Sequence, residues 1–122
     1  MKNKGIYLIL TICYILIIFY LSSLPGSSLT IGTSKTERVF WNLGHIPFYG
    51  ILALLLTITL RNKKKANSGF LKSNWLVLII AVGIAILDEI NQARVPGRSA
   101  SIIDILFDSI GIITALWITR IC

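Results

Sequence analysis

The stretch LDEINQARVPGRSASIIDILFD, residues 87–108, carries most of the negative charge of this 122-residue chain. The chain has five acidic side chains, and four of them lie here: Asp88, Glu89, Asp104 and Asp108. Long apolar segments flank the stretch on both sides. Because carboxylates within a membrane are costly unless they are paired or hydrated, their presence here indicates a functional site.

The composition of the whole chain is typical of an integral membrane protein. Hydrophobic residues make up 55% of it and charged residues 14%, and its mean hydropathy is +0.80. So few charges cannot cover the surface of a soluble domain of this size. The basic residues behind the net charge of +7 cluster beside apolar segments, where they set topology and contact lipid head groups. We therefore expect the lipid bilayer as a partner, and no nucleic acid.

Four apolar segments predict transmembrane helices at about 5–24, 41–60, 75–94 and 102–119. The first is long enough to cross a hydrocarbon core of ~30 Å; a cleaved signal peptide is the alternative, although no small-x-small cleavage site follows. In the third, residues 75–87 alone reach only about 20 Å, so the helix should continue through Asp88 and Glu89. Pro96 and Gly97 then end it. The sequence predicts one all-α domain over residues 1–122, a four-helix transmembrane bundle.

The distribution of lysine and arginine predicts the orientation of this bundle. Eight of the twelve basic residues lie at the N-terminus, in the 61–72 loop and at the C-terminus, and four lie on the other side. Since positively charged loops stay in the cytoplasm, both termini should be cytoplasmic. The protein is then a multi-pass cell-membrane protein, and the stretch 87–108 faces outward.

Helical spacing places the polar residues on faces that should point into the bundle. Asp88 and Gln92 share a face with small residues of the third helix, and Asp104 and Asp108 do so on the fourth, where Ser101 is a candidate N-cap. Small residues let helices approach closely in lipid, so both faces should pack inward. Near the outer end of the second helix, His45 and Tyr49 lie one turn apart.

These residues divide into two candidate groups. The acid–base or ion-binding candidates are His45, Asp88, Glu89 and Asp108. The candidates for binding a substrate are Arg98, Tyr49, Gln92 and Asp104.

Each group has structural alternatives. His45 is alternatively a satisfied polar residue, and Tyr49 an ordinary packing residue. Asp104 alternatively caps the fourth helix, and Arg98 neutralises the nearby acids. No phosphate-binding glycine loop, paired Cys-x-x-Cys or zinc-type histidine pair occurs, so no organic cofactor is expected. The carboxylates offer oxygen ligands of the kind that Mg²⁺ or Ca²⁺ prefers.

The segment DEINQARVPGRSASIIDILFDSIG, residues 88–111, resembles the VanZ-like integral membrane proteins. Their signature is an acidic DE..Q helix end, a PGR turn and a helix with the pattern D...D/N..G. The spacing of His45 and Tyr49 matches the family's second helix, and FYLSSLPG, residues 19–26, resembles the serine-rich end of its first. One departure is Asn42, where the family often has lysine; Lys35 and Arg38 are candidate substitutes for that charge.

The resemblance implies a function at the bacterial cell envelope. The founding member is linked to low-level resistance to teicoplanin, a glycopeptide that acts on cell-wall precursors outside the membrane. By resemblance, this protein binds or acts on an anionic envelope component such as a lipid-linked precursor. Whether it is an enzyme, and its oligomeric state, stay open. The alternatives are a scaffold whose polar cluster is a structural lock and a small transporter, although polar groups on one side count against a through-path.

Overall fold

The computed structural model describes residues 3–25, 35–60, 69–98 and 100–121, with the side chains of residues 35–41 excepted. Over these ranges the chain forms four α-helices and no strand: α1 (Lys4–Ser22), α2 (Lys35–Leu60), α3 (Phe70–Ala93) and α4 (Ile102–Ile121). Each helix contains a segment long and apolar enough to cross a membrane. The prediction of an all-α protein with four spanning helices is confirmed. The basic run at residues 61–65, used to predict the orientation, lies outside the described residues.

Two helices begin earlier than the hydropathy pattern predicts. α2 begins at Lys35 rather than near residue 41, and α3 begins at Phe70 rather than near residue 75. Hydropathy detects the part of a helix that lipid surrounds, whereas the polar turn before it continues the same hydrogen-bonding pattern. The first two turns of α2 contain Lys35, Glu37 and Arg38, charged residues that an apolar window does not include.

The core of the bundle is small and apolar, and its outer surface is apolar as well. Fully buried residues come from α2, α3 and α4, among them Leu52, Ala81 and Leu116. Large side chains such as Leu16 and Ile79 are more than half exposed. This inverted surface is expected where lipid takes the place of water around the helices.

The backbones of α2 and α4 are in direct contact at Gly111. A Cβ atom at this position would overlap the carbonyl oxygen of Ile46, and a Cβ at Gly50 would lie 3.4 Å from the Gly111 carbonyl oxygen. Only a residue without a side chain lets the two backbones meet this closely. The contact places His45, which precedes Ile46, beside Asp108, which lies one turn before Gly111.

The buried ionisable groups of the described chain all lie at one end of the bundle, where α1 and α3 end and α4 begins. We call this the polar end; its four buried carboxylates are Asp88, Glu89, Asp104 and Asp108. Buried polar residues towards the other end are neutral. One of them, Thr57, donates its hydroxyl to a carbonyl of its own helix, that of Ala53, at 2.7 Å.

Candidate functional site

Asp108 forms the most deeply buried part of the polar end. Its side chain is 0% exposed, and one carboxylate oxygen, Oδ1, lies 2.8 Å from Nδ1 of His45. The other oxygen, Oδ2, is buried and has no hydrogen-bond partner. His45 and Asp108, predicted as candidates on different helices, are thus in direct contact. The Oδ2 atom of Asp108 keeps its lone pairs available for a ligand.

Glu89 links the end of α3 to the beginning of α4. Its Oε2 accepts a hydrogen bond of 2.9 Å from the backbone N–H of Ser101, directly before α4. An anion at this place is stabilised by the N-terminal end of the helix dipole. The hydroxyl of Ser101 in turn accepts a bond from the backbone N–H of Ile103, as expected of an N-cap. The second carboxylate oxygen of Glu89, Oε1, is buried without a partner.

His45, Glu89 and Asp108 together form a group that we call the acidic pocket. One donor atom from each of the three side chains lies within 4.8 Å of the others. Two ligands of one ion bound at roughly 2.0–2.4 Å lie at most about 4–5 Å apart, so the three donors are close enough to share a metal. Asp104 is 7% exposed and occupies the first turn of α4, a position compatible with both the capping and the site interpretation.

Asp88 has different surroundings from those of Asp108. Its Oδ2 accepts two hydrogen bonds, from the Tyr49 hydroxyl at 3.1 Å and from Nε2 of Gln92 at 3.2 Å. Tyr49 is 2% exposed, and its ring stacks parallel to that of His45 with the centroids 6.4 Å apart. The oxygen Oδ1 of Asp88 is buried without a partner.

Three residues that were not among the predicted site residues, Ser22, Ser23 and Asn91, join α1 to this network. The hydroxyl of Ser22 donates to the backbone carbonyl of Asp88 at 3.4 Å, and Nδ2 of Asn91 donates to the Ser23 hydroxyl at 2.9 Å. The available signals were the paired serines at the end of α1 and the position of Asn91, three residues after Asp88 and therefore on an adjacent face.

Arg98 reaches back across the polar end to α1. Its Nη2 donates to the carbonyl oxygen of Leu21 at 3.2 Å, while its Nε is buried and has no partner. Among the described residues the ion pair at this end joins His45 and Asp108, and Arg98 forms none. A guanidinium that contacts a neutral carbonyl retains N–H groups for an anion.

A cleft of about 320 Å³ opens between α1, α2, α3 and the turn that carries Arg98. Its lining residues are Ile18, Leu21, Ser22, Gly44, His45, Phe48, Tyr49, Asp88, Gln92 and Arg98. Of the described carboxylates, Asp88 lines the cleft, whereas Glu89 and Asp108 do not. His45 borders both the cleft and the acidic pocket, so the site has two adjoining parts.

The family resemblance noted for residues 88–111 extends over nearly the whole chain. The model of the VanZ/LLP1 family matches residues 6–122. The chain belongs to the VanZ/LLP1 family. Both parts of the site lie within the matched region, as do all four helices apart from the first two residues of α1. Neither a curated protein nor a solved structure matches the chain.

Proposed function

We propose that this VanZ/LLP1 protein binds an anionic, lipid-linked component of the bacterial cell envelope in the cleft. The observation that carries the proposal is the buried Nε of Arg98, which has no protein partner and borders a cavity with apolar walls. The guanidinium forms strong hydrogen bonds with phosphate and carboxylate groups. Ile18, Leu21 and Phe48 offer the apolar surface that the first part of a lipid chain requires.

His45 and Asp88 extend this proposal towards chemistry. Both line the cleft and would lie beside a head group held by Arg98. An imidazole and a carboxylate in that position can exchange protons with a bound substrate, which is the arrangement of an enzymatic version. Without such a transfer, the same cleft serves as a binding site.

The orientation and the biological effect are part of the same proposal. We place both termini in the cytoplasm, because lysine and arginine favour that side, so the cleft opens towards the cell wall. There the protein would meet lipid-linked cell-wall precursors, and its presence would alter susceptibility to teicoplanin-type glycopeptides.

The direct test is lipid binding by the purified protein in detergent, measured by native mass spectrometry. The probes are a polyprenyl phosphate and a polyprenyl diphosphate, with phosphatidylcholine as the reference. We expect both anionic lipids to bind more tightly than the reference, and Arg98→Gln to remove the difference. Arg94→Gln is the matched control, because Arg94 belongs to the same turn but is exposed and does not line the cleft.

The same variants test whether lipid binding affects glycopeptide susceptibility in cells. Strains that express the wild type, Arg98→Gln or Arg94→Gln at equal membrane levels are compared for teicoplanin susceptibility. We expect Arg98→Gln to match a strain without the protein and Arg94→Gln to match the wild type. Equal behaviour of the two arginine variants in both assays would refute the proposed anchor.

A structural lock is the second candidate, because the network at the polar end joins all four helices. His45–Asp108 connects α2 to α4, Tyr49–Asp88 connects α2 to α3, and Ser22 connects α1 to α3. His45→Ala and Asp108→Asn separate the candidates when membrane levels are measured beside susceptibility. Loss of the protein itself supports a lock, whereas normal levels with altered susceptibility support a site.

A further inference from the structure

We infer that His45, Glu89 and Asp108 bind a divalent transition-metal ion in the acidic pocket, with Zn²⁺ and Mn²⁺ as the best fits. The three side chains come from α2, α3 and the second turn of α4, and one donor atom of each lies within 4.8 Å of the others. The site goes beyond the proposed function, since it is distinct from the anion anchor at Arg98.

The first support is that the pocket contains donors without partners. Oε1 of Glu89 and Oδ2 of Asp108 are both buried and accept no hydrogen bond. The residues themselves are 3% and 0% exposed. Nearly all buried polar atoms in proteins are satisfied, so two unsatisfied carboxylate oxygens in one pocket require an explanation. A cation coordinated by these two carboxylates would supply the missing partner.

The second support is charge. Glu89 and Asp108 are both buried in the acidic pocket, and among the described residues the ion pair of the pocket involves His45, which is not permanently charged. Burying carboxylates away from water is expensive without a paired charge. A divalent ion supplies that charge and also reduces the repulsion between the pocket and an anion in the adjoining cleft.

The donor set decides which ions fit best. Mg²⁺ and Ca²⁺ prefer oxygen ligands alone, whereas an imidazole nitrogen beside two carboxylates suits Zn²⁺ or Mn²⁺. Three protein ligands leave coordination positions open. Because His45 also borders the cleft, those positions are near the space that a head group would occupy.

Titration of the whole protein with Mn²⁺ tests the site. The protein is purified with a tag that lacks histidine, stripped with EDTA and placed in nanodiscs of phosphatidylcholine, so that no anionic lipid contributes. Electron paramagnetic resonance measures free and bound Mn²⁺. We expect one saturable ion per chain, displaced by Zn²⁺ more readily than by Mg²⁺ or Ca²⁺.

The histidine content makes the assignment specific. His45 is the single histidine of the chain, so any imidazole nitrogen coupled to bound Mn²⁺ in pulsed resonance spectra belongs to it. This measurement uses the wild type and therefore stands even if a ligand variant fails to fold. A saturable ion with nitrogen coupling supports the site, and the absence of saturable binding or of that coupling overturns it.

Variants with nearly unchanged shape identify the other ligands. We expect Glu89→Gln and Asp108→Asn each to weaken Mn²⁺ binding by at least about tenfold, the lower bound for disturbing even the surroundings of a metal ligand. Asp104→Asn is the matched control: it removes a buried carboxylate at the same end that is not among the three donors. A loss of similar size in all three variants would show that each buried carboxylate attracts the ion only through its charge. That result would refute the specific site. Lipid binding at Arg98 is measured separately, so either proposal can fail alone.

Discussion

Two buried carboxylates at the polar end, Asp88 and Asp108, have nearly the same exposure and very different neighbours. Asp88 is 3% exposed, accepts hydrogen bonds from Tyr49 and Gln92, and lines the cleft. Asp108 is 0% exposed, contacts the imidazole of His45 and belongs to the acidic pocket. Neutral donors hold the first carboxylate in place, while a titratable ring and further acids surround the second.

The packing of the helices accounts for this difference. Asp108 lies one turn from Gly111, where the backbones of α2 and α4 meet. Asp88 lies on α3 beside the cleft, where the longer side chains of Tyr49 and Gln92 reach it. The contact of α2 and α4 at Gly111 therefore brings His45 and Asp108 together in the acidic pocket, whereas Asp88 lies at the wall of the cleft.

The largest effect is expected where the close contact is broken. Gly111→Leu places a side chain against the Ile46 carbonyl and forces α2 and α4 apart. Such overpacking costs about 1–3 kcal/mol or more, and here it also separates His45 from Asp108. We expect a marked loss of folded protein, measured as monodisperse yield in detergent and as thermal unfolding followed by tryptophan fluorescence.

Gly83→Ala is the control for the glycine substitution itself. Gly83 is also helical, and a Cβ atom built there meets no atom within 4 Å. Alanine is favoured over glycine in a helix by roughly 0.5–1 kcal/mol, so this variant should be as stable as the wild type or more so. Equal stability of Gly111→Leu and Gly83→Ala would mean that the α2–α4 contact does not hold the acidic pocket together.

Much of the fold is predictable because lipid imposes simple rules on sequence. Apolar length indicates four helices, and Pro96 with Gly97 marks the turn between α3 and α4. Gly97 has a φ of 76°, a conformation that suits glycine. The beginnings of α2 and α3 were predicted less well, since a helix can start in polar residues that hydropathy does not count.

The candidate residues were also visible in the sequence, but their pairing was not. Spacing along a helix shows which residues share a face, and it leaves the rotation and height of one helix against the next undetermined. The sequence therefore does not show whether His45 pairs with Asp88 or with Asp108. The contact at Gly111 decides this, because it brings His45 beside Asp108. Arg98 illustrates the same limit, because its partner is a backbone carbonyl of Leu21, which no sequence pattern marks.

Variants of Asp108, Asp88 and Arg98, compared in two binding assays, separate the two parts of the site. We expect Asp108→Asn to weaken cation binding by about tenfold or more. Asp88→Asn should alter it much less, because Asp88 is outside the acidic pocket. Arg98→Gln should reduce binding of polyprenyl diphosphate and leave cation binding unchanged. Cation binding is measured in phosphatidylcholine nanodiscs and lipid binding in the presence of EDTA, so that neither ligand influences the other assay.

The smallest change in stability is expected when one of the neutral donors around Asp88 is removed. Tyr49→Phe removes the hydroxyl that donates to Asp88 Oδ2 and leaves Gln92 as the donor to that oxygen. Losing one buried hydrogen bond of this kind costs about 0.5–1.5 kcal/mol. We expect a drop of that size in the free energy of unfolding, measured in mixed detergent micelles, with the acidic pocket and its cation binding unaffected.

Tyr14→Phe provides the matched comparison for Tyr49→Phe. The Tyr14 hydroxyl donates to the Phe48 carbonyl at 2.9 Å, in an exposed position. That carbonyl lies within α2, where the helical pattern also supplies it with a backbone N–H, so no acceptor is left unsatisfied. The loss should therefore be smaller than for Tyr49→Phe. If the two variants lose equal stability, the Tyr49 hydroxyl contributes no more than a surface bond, and the position of Asp88 must depend on Gln92 and on the packing of α3.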